Sequence, residues 1–142
     1  MLSVKKQLTL GKDERLKSRK QIEHLFDKGK SFVVAPFRVY FIVNRELPVQ
    51  KGESGLKFGA GVSAKNFRKA VDRNRIKRLT REAWRLQKNE IREKTRETQR
   101  QLNVFFIYTG KELPDFTTVK DKVAIALKKL ADKINENISA HP

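Results

Sequence analysis

The spacing of apolar residues near the start of the chain predicts a short amphipathic helix. Ile22, Leu25 and Phe26 stand at positions i, i+3 and i+4, which lie on one side of a helix. Ser18 is suited to cap the first turn, and Gly29 is suited to end the helix in a left-handed conformation. We therefore expect a helix with one buried side at this point.

Two later segments alternate between apolar and polar residues with a period of two, which is typical of strands. The first covers residues 37–44 and the second residues 57–63. Residues 45–56, rich in Pro, Gly, Glu and Lys, are expected to join them as a long hairpin loop. In the second strand, Gly59 and Gly61 leave one side bare, so that a backbone or a ligand can approach closely.

Residues 69–85 combine an apolar stripe with a dense set of cations. A helix over this segment places four apolar residues on one side, at i, i+3, i+7 and i+10. Like charges four residues apart destabilise a helix by roughly 0.2–0.5 kcal/mol per pair, and only Asp72 and Glu82 offset them here. The apolar residues are Ile76, Leu79, Ala83 and Leu86, and the polar side carries Arg73, Asn74, Lys77, Arg78, Arg81 and Arg85.

The cationic side of this helix is expected to bind a polyanion. Arginine dominates it, and the planar guanidinium suits phosphate bidentately. Asn74 lies within the arginine run and offers both a donor and an acceptor to a nucleotide. A basic face that is merely solvated stays an alternative.

The rest of the chain supplies one more strand and one more helix. Residues 102–108 are almost continuously apolar, which predicts a central strand buried on both faces. Residues 89–101 are nearly all polar or charged, so the end of the preceding helix has no signal. Thr118 and Asp121 are expected to cap a last amphipathic helix that covers the sheet, and the tail from Ser139 is expected to fray.

Together these elements predict a single α+β domain over residues 1–142. The expected order is α-β-β-β-α-β-α, with a sheet of about four strands and helices packed mainly on one face. A chain of 142 residues is long enough to form one core. Residues 1–14 are expected to form a basic flexible arm, and residues 139–142 a frayed tail.

The net charge of the chain indicates what kind of partner it binds. Lys and Arg number 33 against 16 Asp and Glu, and the resulting formal charge of +17 favours nucleic acid or an anionic membrane surface. The chain has no cysteine, which excludes disulfides and thiolate metal sites. It has no apolar run of the signal-peptide or membrane-spanning type, so a soluble cytoplasmic protein is expected.

Groups for catalysis by this chain alone are missing from the pattern. A metal-dependent nuclease needs a cluster of carboxylates around its divalent ions, whereas the acidic residues here stand singly among cations. His24 is expected on a helix surface and His141 in the tail, so neither is placed as a general base. No glycine spacing fits a phosphate-binding loop. The isolated acidic residues are Asp72, Glu82, Glu90, Glu93 and Glu97.

Nucleic-acid binding is favoured, and the residues leave its kind open. A non-enzymatic RNA-binding module, such as a ribosome-associated protein or an RNA chaperone, needs the same charge. A DNA-binding protein would place the basic helix in the major groove, but a strand precedes this helix where a second helix is usual. Arg38, Tyr40 and Phe26 can add stacking to charge in a groove, although Phe26 fits a core position equally well.

Five short matches around the basic helix form a recognisable signature. They are Val62-Ser63, Ala70-Val71, Arg73-Asn74-Arg75-Ile76-Lys77-Arg78-Leu79, Arg81-Glu82-Ala83 and Arg85. This pattern resembles the Arg-Asn-Arg signature of the bacterial ribonuclease P protein component. Residues 15–44 and 102–135 also fit that family's order of elements. One departure is that the usual Lys-Lys-x-Gly-Asn-Ala-Val approach is replaced by residues 64–71, which lack the glycine and are one residue longer.

The resemblance implies the protein subunit of ribonuclease P, the endonuclease that removes 5′ leaders from precursor tRNA. In that family the RNA subunit carries the active site and the catalytic Mg²⁺, so no cofactor is expected on the protein alone. The implied partners are the catalytic RNA subunit and the precursor tRNA leader, with no membrane and no obligate protein partner. The resemblance also implies that the basic helix lies in an unusual left-handed crossover between strands.

Two sets of site residues follow from the resemblance. The cleft between the first helix and the sheet binds the single-stranded leader in this family, which implies Ile22, Phe26, Arg38 and Tyr40. An aromatic residue is common in the family where this chain has Ile22, so stacking there is expected to be weaker or absent. The residues implied in binding the RNA subunit are Arg73, Asn74, Arg75, Lys77, Arg78, Arg81 and Arg85, helped by Lys65 and Asn66.

Overall fold

The structure, a computed structural model, describes residues 14–48, 55–98 and 100–139. It has the predicted α+β order, with one additional helix after the basic helix and a first strand that the sequence analysis had not located. In chain order the elements are α1 (Arg19–Lys28), β1 (Lys30–Val34), β2 (Phe37–Pro48), β3 (Leu56–Val62), α2 (Ala70–Gln87), α3 (Asn89–Thr98), β4 (Arg100–Tyr108) and α4 (Phe116–Ser139).

The four strands form one mixed sheet in the order β1-β2-β4-β3. β1 and β4 pair with β2 antiparallel, whereas β3 pairs with β4 in parallel. The predicted hairpin between β2 and β3 is therefore wrong, because β4 lies between them. Period-two patterns fix which side chains share a face, but they do not say which strands are neighbours. The left-handedness of the crossover from β3 to β4 stays a prediction.

One face of the sheet carries the main core. Phe106 of β4 lies opposite Val39 of β2 and Ala60 of β3, and all three belong to this core. Helices α2, α3 and α4 contribute to the same core, and the ring of Trp84 in α2 stacks on Phe58 with centroids 4.3 Å apart. Helix α1 lies on the opposite face. The prediction that helices cover mainly one face is confirmed.

The buried side of α2 differs from the predicted stripe. Ile76 and Ala83 are buried as expected, but Trp84 is fully buried while Leu86 is 38% exposed. Trp84 buries a larger apolar surface than a leucine, and its position decides how the helix is rotated against the sheet. Helix α2 ends at Gln87, where the sequence had given no signal.

Three predicted helix ends differ in detail. Ser18 caps α1 as predicted, but Gly29 has a φ of −76° and is not left-handed. Its Cβ would come 2.9 Å from the carbonyl oxygen of Phe41, so close packing explains the glycine. The cap of α4 is Asp115, whose carboxylate accepts a hydrogen bond from the Thr118 amide at 2.8 Å. Hydrogen bonding by the Thr118 side chain, and then by its amide, lowers the pKa of this carboxyl. Helix α4 continues to Ser139, the first residue of the predicted tail.

The predicted terminal and loop segments lie largely outside the described residues. This holds for residues 1–13, 49–54 and 140–142. Glu14, the last residue of the predicted flexible arm, is buried in the fold. Within the described ranges, no helix is long and apolar enough to cross a membrane.

Candidate nucleic-acid interface

Helix α2 presents a cationic surface on the side away from Trp84. Asn74, Arg78, Arg81 and Arg85 follow one another at i, i+4, i+7 and i+11, which is a single stripe along the helix. The first three are exposed. Among the other predicted contacts, Arg75 is also exposed and Lys77 is half-buried.

Arg85 is less available than its neighbours because it forms an ion pair within the helix. Its guanidinium donates to Glu82 through Nε at 3.0 Å and Nη2 at 2.5 Å. This hydrogen bonding lowers the pKa of Glu82. The pair removes part of the like-charge repulsion that the sequence predicts along α2, and it reduces the positive charge at the C-terminal end of the stripe.

Arg73 has a structural role that its charge did not reveal. Its Nη1 donates to the carbonyl oxygens of Phe67 at 2.9 Å and Arg68 at 2.7 Å. Arg73 therefore lies on the inner side of the first turn and closes the loop that precedes α2.

Replacing Arg73 with alanine should lower the free energy of unfolding by about 1–3 kcal/mol, because two hydrogen bonds from a charged donor are lost. The matched variant Arg78→Ala, at an exposed position, should stay within about 0.5 kcal/mol of wild type. Urea denaturation followed by circular dichroism measures both. Equal stability of the two variants would show that Arg73 is not needed for the loop.

Asn66 connects the approach to α2 with the end of β4. Its side-chain amide donates to the carbonyl oxygens of Thr109 at 3.1 Å and Gly110 at 3.3 Å. The hydroxyl of Thr109 in turn donates to the carbonyl oxygen of Pro36 at 3.0 Å. Asn66 thus helps to hold the longer approach loop in place, whereas Lys65 is exposed.

An aromatic cluster, consisting of Phe26, Tyr40 and Phe105, lies between α1 and the other face of the sheet. The ring of Phe26 meets Tyr40 edge-on at 4.8 Å and Phe105 at 5.3 Å. Phe26 remains 42% exposed, so it is not a core residue and offers its ring to solvent. Arg38 is exposed on the same face, and Ile22 is half-buried on α1. The structure thus places all four predicted cleft residues on this side of the sheet.

Phe105 was missed by the sequence analysis, although two glycines signalled its position. The ring lies against Gly59 and Gly61, where an added Cβ would come within 2.6 and 2.8 Å of it. The close approach expected at these glycines is therefore made by a side chain from β4. Bare backbone on one strand beside an aromatic residue on its neighbour is the pattern that could have located it.

Acidic side chains do not gather into a metal site in the described part of the chain. There, no three His, Cys, Asp or Glu residues come close enough to hold an ion together. Two of the isolated carboxylates form ion pairs on helix surfaces instead, Glu82 with Arg85 and Glu93 with Arg96 at 3.5 Å. These residues do not fit a resident divalent ion.

A cationic helix on one face of the sheet and an exposed aromatic cluster on the other are typical of an α+β protein that binds nucleic acid. The Ribonuclease P family model matches residues 10–131, and the chain belongs to this family. It is a protein subunit of ribonuclease P, with a role in the processing of the 5′ end of tRNA, and it binds the RNA subunit of that enzyme.

Individual relatives agree with this assignment. The chain is 38% identical over 125 residues to the ribonuclease P protein component of Porphyromonas gingivalis W83, covering 88% of both chains. The RNase P protein of Staphylococcus aureus shares the fold with a TM-score of 0.63 at 24% identity, over 82% of this chain and 94% of that one. The Thermotoga maritima protein has a TM-score of 0.56 at 27% identity, over 82% and 96% respectively.

Proposed function

We propose that the outer side of α2 binds the catalytic RNA and that the surface around the aromatic cluster binds the 5′ leader of precursor tRNA. The observation that carries this proposal is the placement of the two surfaces on opposite faces of one sheet. A single small domain can then contact both RNAs at once. Holding the leader beside the catalytic RNA lowers the entropic cost of bringing the cleavage site into position.

Each surface has the chemistry that its proposed ligand needs. Exposed arginines on α2 suit the phosphates of a folded RNA, which need no sequence readout. Phe26 offers an exposed ring on which an unpaired base can stack, and Arg38 is close enough along the sheet to neutralise a leader phosphate. Stacking tolerates any base, which fits a leader whose sequence varies.

The catalytic centre and its Mg²⁺ are assigned by this proposal to the RNA subunit. The support is that, within the described ranges, no three acidic or histidine side chains come together to hold an ion, and that Glu82 and Glu93 each pair with an arginine instead. The role of the chain is then to bind and orient RNA. The cytoplasmic location expected from the sequence remains a prediction.

Cleavage of a 5′-extended precursor tRNA at low Mg²⁺ tests the proposal. The protein alone, a bacterial ribonuclease P RNA alone and their mixture are compared over multiple turnovers. We expect rapid cleavage at the mature 5′ end in the mixture, slow cleavage by the RNA and none by the protein. Cleavage by the protein alone would place a catalytic centre in this chain. No gain from the protein would favour a general RNA-binding module.

A further inference from the structure

A buried ion pair joins the start of the described chain to the junction of α2 and α3. Lys88 lies at this junction and is fully buried, with its Nζ 2.6 Å from the carboxylate of Glu14. Glu14 is itself only 6% exposed, and its second oxygen lies 3.6 Å from Arg92 of α3. A buried charge is costly unless it is paired, so this contact strongly favours one position of Glu14.

Residues 14–18, here called the N-terminal strap, continue from this ion pair around the edge of the sheet. Arg15 bridges to Phe58 in parallel, and the Leu16 amide donates to the Phe58 carbonyl oxygen at 2.9 Å. Leu16 is buried, and its Cβ would lie 3.5 Å from a Cβ at Gly59. Ser18 then caps α1. The strap therefore connects the face that carries α2 to the face that carries the aromatic cluster.

Helix α1 contributes few buried side chains to the fold. Leu25 is the one buried residue that it contributes among the residues described. The ring of Phe26 meets Tyr40 and Phe105 edge-on and is 42% exposed. Helix α1 is thus held at both ends, by the strap at its N-terminus and by Gly29 and the start of β1 at its C-terminus, where Lys30 pairs with Phe41.

We propose that Glu14 is a positioning residue for precursor binding, which acts through its ion pair with Lys88 to hold α1 and the aromatic cluster in register for the leader. This inference rests on the proposed role of that cluster. An ion pair is suited to the task because it specifies one geometry, whereas apolar contacts tolerate sliding. Glu14 is not expected to touch RNA, since it is buried.

The variant Glu14→Gln tests the inference in the assembled holoenzyme. Affinity is measured for a precursor tRNA with a leader of about eight nucleotides and for the mature tRNA, and their ratio reports leader selectivity. We expect the ratio to fall about tenfold, the loss of roughly one base-aromatic stack. Affinity for the RNA subunit should change less than about twofold. Removing a negative charge would by itself strengthen RNA binding, so the expected sign is opposite to a simple electrostatic effect.

Three further variants separate the possible causes. Glu23→Gln removes an equal charge from an exposed pair on α1 and should leave the ratio unchanged. Phe26→Leu removes the exposed ring and should lower the ratio directly. In Glu14→Met combined with Lys88→Met, both charges of the buried pair are removed together and Arg92 is partly exposed to solvent, so the fold should persist while selectivity stays low.

The outcomes distinguish the inference from the proposed function. If the wild-type protein confers no leader selectivity, the proposed role of the aromatic cluster fails. If wild type is selective and Phe26→Leu is not, but Glu14→Gln keeps the full ratio, the positioning role is overturned. Full selectivity in the double methionine variant would also overturn it, because packing alone would then hold α1. If Glu14→Gln does not fold, the double variant decides.

Discussion

Replacing Arg75, Arg78 and Arg81 with alanine should weaken binding of the ribonuclease P RNA by roughly a thousandfold. A hydrogen bond to a charged group contributes about 1.5–3 kcal/mol, so three at the lower end contribute about 4.5 kcal/mol. All three side chains are exposed on α2, and the structure gives them no role in holding the fold. Filter binding or fluorescence anisotropy at fixed salt measures the loss, with circular dichroism to check that helicity is retained.

The matched control removes three lysines from the last helix. Lys120, Lys128 and Lys129 are exposed on α4, and replacing them with alanine lowers the net charge by the same amount. The α2 variant should also reduce the slope of log affinity against log salt by about 2 to 3, because about 0.9 counterions are released per phosphate neutralised. Equal losses in both variants would mean that total charge, and not the surface of α2, determines binding.

The variant Trp84→Ala should destabilise the fold by about 3–5 kcal/mol, the usual cost of removing a large aromatic side chain from a core. Trp84 is fully buried, stacks on Phe58 and meets Phe106 edge-on at 5.9 Å. It therefore connects α2 to two strands of the sheet. Since many domains are stable by only about 5–15 kcal/mol, this variant should lose a large part of its stability.

Urea denaturation compares this variant with Leu86→Ala, two residues further along the helix. Leu86 is 38% exposed and should cost less than about 1 kcal/mol when truncated. The sequence pattern predicts the reverse order, because Leu86 belongs to the predicted stripe and Trp84 does not. A larger loss for Leu86 than for Trp84 would contradict the observed rotation of α2.

The two proposed RNA-binding surfaces differ in how much of each could be predicted from the sequence. The cations of α2 lie in one continuous stretch, so their spacing was enough to predict a charged helix surface. It could not separate Arg73, which holds the preceding loop through two carbonyl oxygens, from Arg78, which is exposed. Both residues have the same charge and lie on the same helix, and only folding brings the loop carbonyls to one of them.

The surface around Phe26 could not be predicted from local spacing, because it is formed by residues from distant segments of the chain. The sequence pattern was equally consistent with Phe26 in the core. In the structure its ring contacts Tyr40 and Phe105 and is partly exposed to solvent. Phe105 belongs to a strand that pairs with β2 and β3 at once. The order of strands depends on the packing of the whole sheet. Because β4 lies between β2 and β3, these two strands do not form the predicted hairpin.

The sequence by itself determined the local features of this protein: the helix and strand periods, the arginine-rich α2, the cap of α1 and the family signature. These depend on residues within a few positions of one another, where spacing maps directly onto geometry. Only the tertiary structure decided the sheet order, the side of α2 that is buried and the pairing of Glu14 with Lys88, which are 74 residues apart. A buried charge requires a partner, but that partner can come from any part of the chain, so local sequence spacing does not identify it.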